Sequence, residues 1–427
     1  MIAIGFALAW SLTALTAADW PHWRGPTYDG SSDAVGLPDR LDDTTRLWVT
    51  SLPGFGASTP VIWGERIFLS TLDPESGDLL ALCLKRSDGA IVWRHAVGIG
   101  FHPQHREDLV GPSATCDAQR VVFAFGTGDV AAFAHDGAAL WQRNLQKDHG
   151  KFSNQWVYAS SPLLLGNRVH IQILQTNPDA VAPTAATTSC VLGIDATTGK
   201  TLWKQPRPTS ARGESQDAYT SPIPLHVGAQ QQILIFGGDC LTGHDADNGK
   251  ELWRCGGLNP TRNNTWRMIP SPLPLGDRIV ICTARGNRLM SVKAGGNGDI
   301  SATHQAWDVD TISTDIAIPL HYRGGLFVLH GDRKILARLD PATGAVVWQG
   351  DIDSRTVLRG SPTAADGKIY CLNESGDVWV FAADASAFRL ISRSTLGGEG
   401  VSRASIALAD RLVLVRAGDR LHAFGRR

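Results

Sequence analysis

Paired cysteine motifs are absent from this chain of 427 residues. It contains seven cysteines, but none are arranged as Cys-x-x-Cys, Cys-x-x-Cys-His or adjacent Cys-Cys. This excludes zinc ribbons, c-type haem attachment and thioredoxin-like redox centres, which need those spacings. An odd number also leaves at least one thiol unpaired. We expect most of these cysteines to be small buried apolar residues, the common environment of a free cysteine.

Blocks of basic residues are also absent. The 40 Lys and Arg are interspersed with 41 Asp and Glu, for a formal charge of −1. Nucleic-acid binding depends on clustered cations that neutralise phosphates, so the composition argues against a nucleic-acid partner. With 45 Gly and 22 Pro, the chain predicts many turns and little long helix. We expect a monomer whose partner is a small polar ligand or a protein.

Long apolar runs are missing after residue 20, so no later segment predicts a membrane span. The first eighteen residues, MIAIGFALAWSLTALTAA, are uncharged and end in small residues. This pattern predicts a secretory signal cleaved after Ala18, although no basic residue precedes Arg24. A mis-assigned start or an uncleaved anchor would also explain the missing basic residue. We therefore expect a periplasmic or extracellular protein, with residues 1–18 as signal, 19–46 as an extension and 47–427 as one repeat domain.

A turn followed by a tryptophan is present in five close copies. The copies read KRSDGAIVW, FAHDGAALW, DATTGKTLW, DADNGKELW and DPATGAVVW, each with Gly four residues before Trp. Upstream of each lies a Pro after a small residue, then two short apolar runs separated by a turn, as in SPLLLGNRVHIQ from Ser161. Short apolar runs between Gly and Asp turns predict β-hairpins. Each unit therefore predicts four antiparallel strands.

The spacing of the tryptophans predicts the fold. Between Trp48 and Trp348 they recur about every 50 residues, a period typical of four-stranded β-propeller blades. Eight Pro-type strands are present, and the last unit has only three strands. We therefore predict an all-β, eight-bladed propeller in which the strand LWVTSL, near the N-terminus, completes the C-terminal blade and removes a free edge.

The repeated residues have a structural interpretation. The Gly is expected to take the positive-φ position of a tight turn. The tryptophans of the outer strands are expected to fill the wedges between adjacent blades, rather than to stack on a cofactor. They are Trp48, Trp93, Trp141, Trp203, Trp253, Trp307 and Trp348.

The combination of Asp-x-x-Thr-Gly-x-x-x-Trp with Ser-Pro resembles the pyrroloquinoline-quinone-type repeat of eight-bladed propellers. The resemblance covers residues 47–424, and DWPHWRGPTYDGSS from Asp19 resembles the N-terminus of exported bacterial quinoprotein-like propellers. That resemblance implies one of two functions. One is that of quinone-dependent alcohol dehydrogenases, which hold the quinone between a Trp and a disulfide of adjacent cysteines, beside Ca²⁺. The other is that of non-catalytic scaffolds such as the outer-membrane assembly lipoprotein of the Bam complex.

The sequence lacks features that are typical of both families. It has no adjacent cysteines and no haem motif, and no lipobox cysteine precedes Cys83. Our leading hypothesis is an exported non-catalytic scaffold that binds a ligand or protein partner at the channel mouth, without a cofactor or metal. The alternative is a quinone-dependent oxidoreductase with a divergent pocket for pyrroloquinoline quinone and Ca²⁺. A hydrolase or lyase that uses channel carboxylates is a weaker third hypothesis, because a fold alone does not assign a function.

The segments that lead into the innermost strands are rich in functional groups, and a ring would bring them to one mouth. Aromatic residues, acids and arginines at a concave mouth suit a polar ligand or a peptide, although a solvated rim of salt bridges is the plainer alternative. The candidate residues are Asp108, Trp156, Tyr158, Asp217, Tyr219, Trp266, Arg267, Asp315, Arg359 and Arg403.

Two further patterns concern metal binding and a disulfide. His102 and His105, beside Glu107 and Asp108, are weak candidates for a metal site, because no downstream residue lies at a spacing typical of metal ligands. Cys240 and Cys255 flank one copy of the turn, centred between Asp247 and Asn248, and hairpin symmetry predicts that they lie opposite each other. A disulfide is then possible in an oxidising compartment, unless a one-residue bulge puts the two on opposite faces.

Overall fold

The eight-bladed propeller is confirmed in the computed structural model, which describes residues 19–100, 109–176, 189–286 and 288–426. Each blade is an antiparallel sheet of four strands. Blade 1 contains β2 (Val61–Trp63), β3 (Arg66–Leu72), β4 (Asp78–Lys85) and β5 (Ile91–Ile99). Blade 2 contains β6 (Thr115–Cys116), β7 (Arg120–Ala124), β8 (Asp129–Ala134) and β9 (Ala139–Asn144), followed by the short helix α1 (Leu145–His149).

The third and fourth blades follow the same order. Blade 3 contains β10 (Leu163–Leu165), β11 (Arg168–Ile173), β12 (Cys190–Asp195) and β13 (Thr201–Pro206). A 3₁₀ turn over Gly213–Gln216 leads to blade 4, which contains β14 (Ile223–Val227), β15 (Gln230–Gly237), β16 (Cys240–Asp245) and β17 (Glu251–Cys255).

Blade 5 contains β18 (Leu273–Leu275), β19 (Arg278–Cys282), β20 (Leu289–Lys293) and β22 (Gln305–Val309), with a 3₁₀ turn over Ala284–Gly286. Its strand β21 (Gly298–Asp299) leaves the blade and pairs in parallel with β17 of blade 4. Blade 6 contains β23 (Leu320–Tyr322), β24 (Gly325–His330), β25 (Ile335–Leu339) and β26 (Val346–Asp351). Blade 7 contains β27 (Thr363–Ala365), β28 (Lys368–Leu372), β29 (Asp377–Ala382) and β30 (Leu390–Thr395).

The closure of the ring is also as predicted. Blade 8 contains β31 (Ala407–Ala409), β32 (Leu412–Ala417), β33 (Arg420–Phe424) and, as its outermost strand, β1 (Arg46–Ser51). Strand β1 pairs antiparallel with β33, so the first strand of the chain completes the last sheet. No free strand is then left where the two ends of the ring meet.

Burial explains the hydrophobic pattern of the strands. The second and third strands of a blade are covered by neighbouring blades on both faces, so they read as continuous apolar runs, as in DLLALCLK of β4. The outermost strands alternate half-buried and exposed positions, as in TLWKQP of β13. Most apolar clusters contain residues from two adjacent blades, which is how a blade that cannot bury its own faces becomes stable.

The repeated tryptophans connect one blade to the next. The Trp93 indole N–H donates to the carbonyl of His135 in blade 2 (3.0 Å), and Trp141 does the same to Ala196 in blade 3 (2.8 Å). Gly137 in the receiving turn has a φ of 96°, and a Cβ there would lie 2.9 Å from the Trp93 ring. The turn glycine therefore supplies both the positive φ and the space that the preceding blade's tryptophan occupies.

The predicted pairing of Cys240 with Cys255 is wrong. Cys255 lies opposite Leu241, and the pairing shifts between Gly243 and His244, where one extra residue is accommodated. This is the bulge that moves the two cysteines out of register. Both are buried free thiols in the structure, so the geometric argument for a disulfide fails.

Residues 19–45 do not join a blade but cross one end of the central channel. Trp20 pairs with Ile62 of β2 in blade 1, and Ser31 pairs with Ala364 of β27 in blade 7, two blades away around the ring. Between them, the fully buried Arg24 donates to the carbonyl oxygens of Pro319 (2.9 Å) and Pro362 (3.0 Å). The carbonyl of Pro21 also accepts the backbone N–H of Cys116 in blade 2 (3.0 Å), which lies opposite blade 6 in a ring of eight. We call residues 20–31 the plug, since they bind blades on both sides of the channel.

Candidate functional site

The extended segments that lead into the innermost strands place two rings of side chains around the channel. Residues two apart on a strand point to the same side, so each lead-in segment contributes one residue to each ring. The side chains of the upper ring, which lies near the mouth, differ from one another in size and charge. Its members, in blade order, are Ala57, Gly111, Ala159, Tyr219, Ile269, Ile316, Arg359 and Arg403.

The lower ring is nearly uniform, and we call it the hydroxyl ring. Its members are Thr59, Ser113, Ser161, Ser221, Ser271, Ile318, Ser361 and Ser405. At seven of the eight seams a backbone N–H donates to the hydroxyl oxygen of the next blade, over 2.8–3.2 Å. The exception is the seam between Ser271 and Ile318, because Ile318 has no hydroxyl. The ring therefore connects the blades by hydrogen bonds at the channel wall.

The channel is open at the mouth and covered at the other end by the plug. A cavity of about 150 Å³, the channel cavity, is lined by the hydroxyl ring, by the upper ring and by Trp23 of the plug. A second cavity of about 420 Å³, the mouth cavity, lies above it and shares the upper ring. A ligand therefore reaches the channel from the mouth.

The mouth cavity combines an apolar wall with three arginines. Its wall includes Val157, Ile269 and Ile316, and the arginines are Arg267, Arg359 and Arg403. The Trp156 side chain, which is 51 % exposed, stands at its edge. Exposed aromatic and arginine side chains at a concave apolar surface are the residue types that dominate protein–protein contacts.

Each of these arginines is held by carboxylates. The Nε of Arg267 lies 3.3 Å from Oε1 of Glu214, and its Nη2 lies 3.4 Å from Oδ2 of Asp315. The buried Nη1 of Arg267 has no hydrogen-bond partner among the described residues. Because the guanidinium is fixed by two acids, its remaining N–H groups are pre-oriented for an acceptor on a ligand.

The other two arginines share one acid. Nη2 of Arg359 lies 2.9 Å from Oδ1 of Asp332, and Nε of Arg403 lies 2.9 Å from Oε1 of Glu374. Nε of Arg359 is 4.0 Å from that same Glu374 oxygen. The cationic side of the mouth is thus an ion-pair network between blades 6, 7 and 8.

The aromatic side of the mouth is fixed by a buried carboxylate. The Trp156 backbone N–H donates to Oη of Tyr219 (3.2 Å), and its indole N–H donates to Glu214 (3.1 Å). Oη of Tyr219 donates in turn to Asp217 (3.4 Å), whose carboxylate also accepts backbone N–H groups from Gln155 (2.8 Å) and Thr176 (2.5 Å). Burial raises the pKa of Asp217, and burial together with the nearby Asp217 carboxylate raises that of Tyr219.

The predicted rim residues separate into three groups. Trp156, Tyr219, Arg267, Arg359 and Arg403 line the mouth cavity, and Asp315 is the ion-pair partner of Arg267. Asp217 and Tyr158 are buried beneath the surface, and Trp266 packs against the apolar cluster of blade 4. Asp108, His102 and His105 lie outside the described residues, as does the signal segment.

Sequence reasoning missed the hydroxyl ring, the plug and the carboxylates Glu214, Asp332 and Glu374. The signal for the ring was present, because the small residue before Pro in the repeat is the ring hydroxyl in five blades. In blade 2 the ring residue is Ser113, two positions after the Gly111 that the sequence pattern aligns with it. The carboxylates come from turns of other blades, so no local pattern predicts them.

The mouth residues do not fit a quinone with Ca²⁺. Calcium takes six to eight oxygen ligands, several of them free carboxylates. Here Glu214, Asp315 and Glu374 already pair with arginines, and among the described residues no group of three or more His, Cys, Asp or Glu side chains is placed to hold a metal ion. The adjacent cysteines that resemblance to the dehydrogenases implies are also absent from the sequence.

Comparison with known proteins assigns the repeat. A family model described as outer membrane protein assembly factor BamB matches residues 40–190, 80–349 and 187–427. The chain belongs to this family. Its members share the pyrroloquinoline-quinone-type propeller repeat, as the resemblance of the turn and Ser-Pro motifs implied. No curated protein matches the chain significantly.

Solved structures of this repeat family agree in fold alone. BamB from Moraxella catarrhalis is 14 % identical with a TM-score of 0.61, covering 89 % of this chain and 99 % of its own. A europium-containing methanol dehydrogenase is 11 % identical with a TM-score of 0.71, covering 94 % and 90 %. The quinohemoprotein alcohol dehydrogenase from Comamonas testosteroni is 11 % identical with a TM-score of 0.67, covering 96 % and 80 %. Within the described residues, no helix has the length and apolar character needed to cross a membrane.

Proposed function

We propose that this protein is an exported, non-catalytic scaffold that binds a segment of a protein partner at the mouth cavity. The observation that carries the proposal is the mouth itself, an apolar cavity edged by the half-exposed Trp156 and by arginines that carboxylates hold in place. A rigid aromatic anchor beside oriented guanidinium groups binds peptide side chains and carbonyl oxygens at low entropic cost. The description of the family as an outer membrane protein assembly factor also supports a protein partner in the bacterial envelope.

The second candidate is a quinone-dependent oxidoreductase. It is supported by the fold shared with two alcohol dehydrogenases and by the three arginines, which would suit a ligand with several carboxylates. The same carboxylate–arginine pairs count against it, because they occupy the oxygen atoms that a divalent cation would need. We therefore favour the scaffold.

Site-specific photo-crosslinking tests the proposal. A photoreactive phenylalanine analogue is placed at position 156 and, as a matched control, at Leu202, an equally exposed position on the outermost strand of blade 3. We expect one discrete protein adduct from position 156 in intact cells and none from position 202. The same adducts from both positions, or none from the mouth, would contradict a binding site there.

A further inference from the structure

The channel cavity has a chemical character that differs from that of the mouth. All seven hydroxyl-bearing members of the hydroxyl ring are more than nine-tenths buried. Each of their oxygens accepts one backbone N–H from the neighbouring blade. A hydroxyl has one hydrogen to donate in addition to its lone pairs. Within the described part of the chain, no group accepts any of these seven hydrogens.

Trp23 adds another donor from below. It lines the cavity, and its buried indole N–H has no hydrogen-bond partner among the described residues. Above the ring, Arg359 and Arg403 also line the cavity and carry donors, and so does Tyr219, whose one hydroxyl hydrogen is donated to Asp217. No carboxylate, amide or imidazole side chain of the described residues lines it. The side chains that line this space therefore include hydroxyl, indole and guanidinium donors but no anion, and the carboxylates of Asp332 and Glu374 pair with the two guanidinium groups from outside it.

Buried polar groups in proteins almost always have a partner, so such a cavity implies an occupant. Water molecules are the competing occupant, because they accept the hydroxyl hydrogens and can donate to the remaining lone pairs of the ring oxygens. An anion only accepts, and charge-assisted hydrogen bonds to it are stronger than those to a neutral acceptor. The volume of about 150 Å³ holds a small anion together with several water molecules.

We propose that the hydroxyl ring and Trp23 form a binding site for a compact monovalent anion, a halide or a formate-sized carboxylate, in the channel. This site is distinct from the mouth cavity, and it does not depend on a protein partner binding there. The break in the ring at Ile318 leaves one position without a donor. Thr59 shows that threonine is accommodated at the equivalent position of blade 1. Ile318→Thr would therefore complete the ring with an eighth hydroxyl.

Chloride-35 NMR on the intact protein measures this binding directly. We expect the chloride line to broaden with protein concentration, and bromide or formate to reverse the broadening, whereas gluconate, which is too large for the cavity, should not. The double variant Ser161→Ala/Ser361→Ala should weaken binding at least tenfold, and Ile318→Thr should strengthen it severalfold. Ser291→Ala is the matched control, because it removes a fully buried hydroxyl of blade 5 that does not line the channel.

Three outcomes would overturn the site. The first is broadening that does not respond to Ile318→Thr, which completes the ring without removing a hydrogen bond and so remains informative if the double variant fails to fold. The second is an equal loss of binding in Ser291→Ala. The third is a bromide-soaked crystal whose anomalous map shows no peak inside the ring and only ordered water there.

Discussion

Replacing the turn glycine Gly89 with alanine should weaken the seam at which the ring closes. Gly89 has a φ of 72°, and a Cβ there would lie 2.4 Å from the ring of Trp48 in blade 8. Trp48 donates its indole N–H to the carbonyl of Arg86 (3.0 Å), and Thr50 donates to the carbonyl of Gly89 (2.8 Å). The new methyl group must therefore displace the tryptophan that joins the last blade to the first.

The magnitude follows from two contributions. An L-residue in the left-handed region costs about 1–2 kcal/mol, partly offset by about 0.4–1 kcal/mol from a less flexible unfolded chain. Complete loss of a buried tryptophan costs about 3–5 kcal/mol, and Trp48 is only half-buried, so we add about 2 kcal/mol for its displacement. We therefore expect Gly89→Ala to lower the free energy of unfolding by about 3 kcal/mol.

A matched glycine separates the two contributions. Gly166 has a φ of 53° in the turn between β10 and β11, and a Cβ there would meet nothing within 4 Å. Gly166→Ala should cost only about 1 kcal/mol, because it carries the backbone strain without the clash. Urea denaturation of both variants, together with Trp48→Ala and the double variant with Gly89→Ala, measures the difference and the coupling. Equal costs for the two glycines, or strict additivity of Trp48→Ala with Gly89→Ala, would refute the interpretation.

Three further predictions concern charge, pH and thiols. Arg267→Ala should reduce the free energy of unfolding by about 1–3 kcal/mol, because it leaves the buried Glu214 without its cation. The same variant should reduce crosslinking from position 156. A melting temperature equal to that of the parent would show that the ion pair has no structural role. Burial lowers the pKa of His22 and His170 from 6.5 to about 3, so at acidic pH the unfolded state binds protons that the folded state does not. Urea titrations should show that this contribution to the free energy of unfolding is complete above about pH 6.5 and is lost as the pH falls towards 3. His170→Leu should make the free energy of unfolding depend less steeply on pH. Both Cys240 and Cys255 should be alkylated when the protein is unfolded without reductant, because Leu241 rather than Cys240 lies opposite Cys255. A peptide map that contains the two cysteines linked by a disulfide would contradict that strand register.

The repeat made the fold predictable from sequence. The spacing of Gly and Trp reflects contacts inside one blade and with its neighbour, so the same local pattern recurs wherever the same packing recurs. Closure by the strand around Trp48 was predictable because the last unit lacked its fourth strand. The pairing of Cys240 with Cys255 was not, because a single-residue bulge is invisible in the sequence yet reverses which face a side chain occupies.

The site was predictable only in part, because its members come from different blades. Arginines and aromatic residues in the lead-in segments pointed to the mouth, and five of them line its cavity. Asp217 lies in the same kind of segment, yet its carboxylate is buried by backbone donors of Gln155 and Thr176 from the preceding blade. The plug was not predicted either, since the contacts of Arg24 with Pro319 and Pro362 span most of the chain length.

Titration with pyrroloquinoline quinone tests the central claim, that the mouth of this propeller is a binding surface rather than a redox centre. The full chain is mixed with the quinone and Ca²⁺, and in parallel with the quinone and a lanthanide ion, then passed through a desalting column. Bound chromophore and dye-linked alcohol oxidation are measured on the protein fraction. The carboxylate–arginine pairs at the mouth predict no stoichiometric chromophore and no turnover with either ion. One quinone retained per chain together with alcohol-dependent dye reduction would contradict the claim and establish the oxidoreductase.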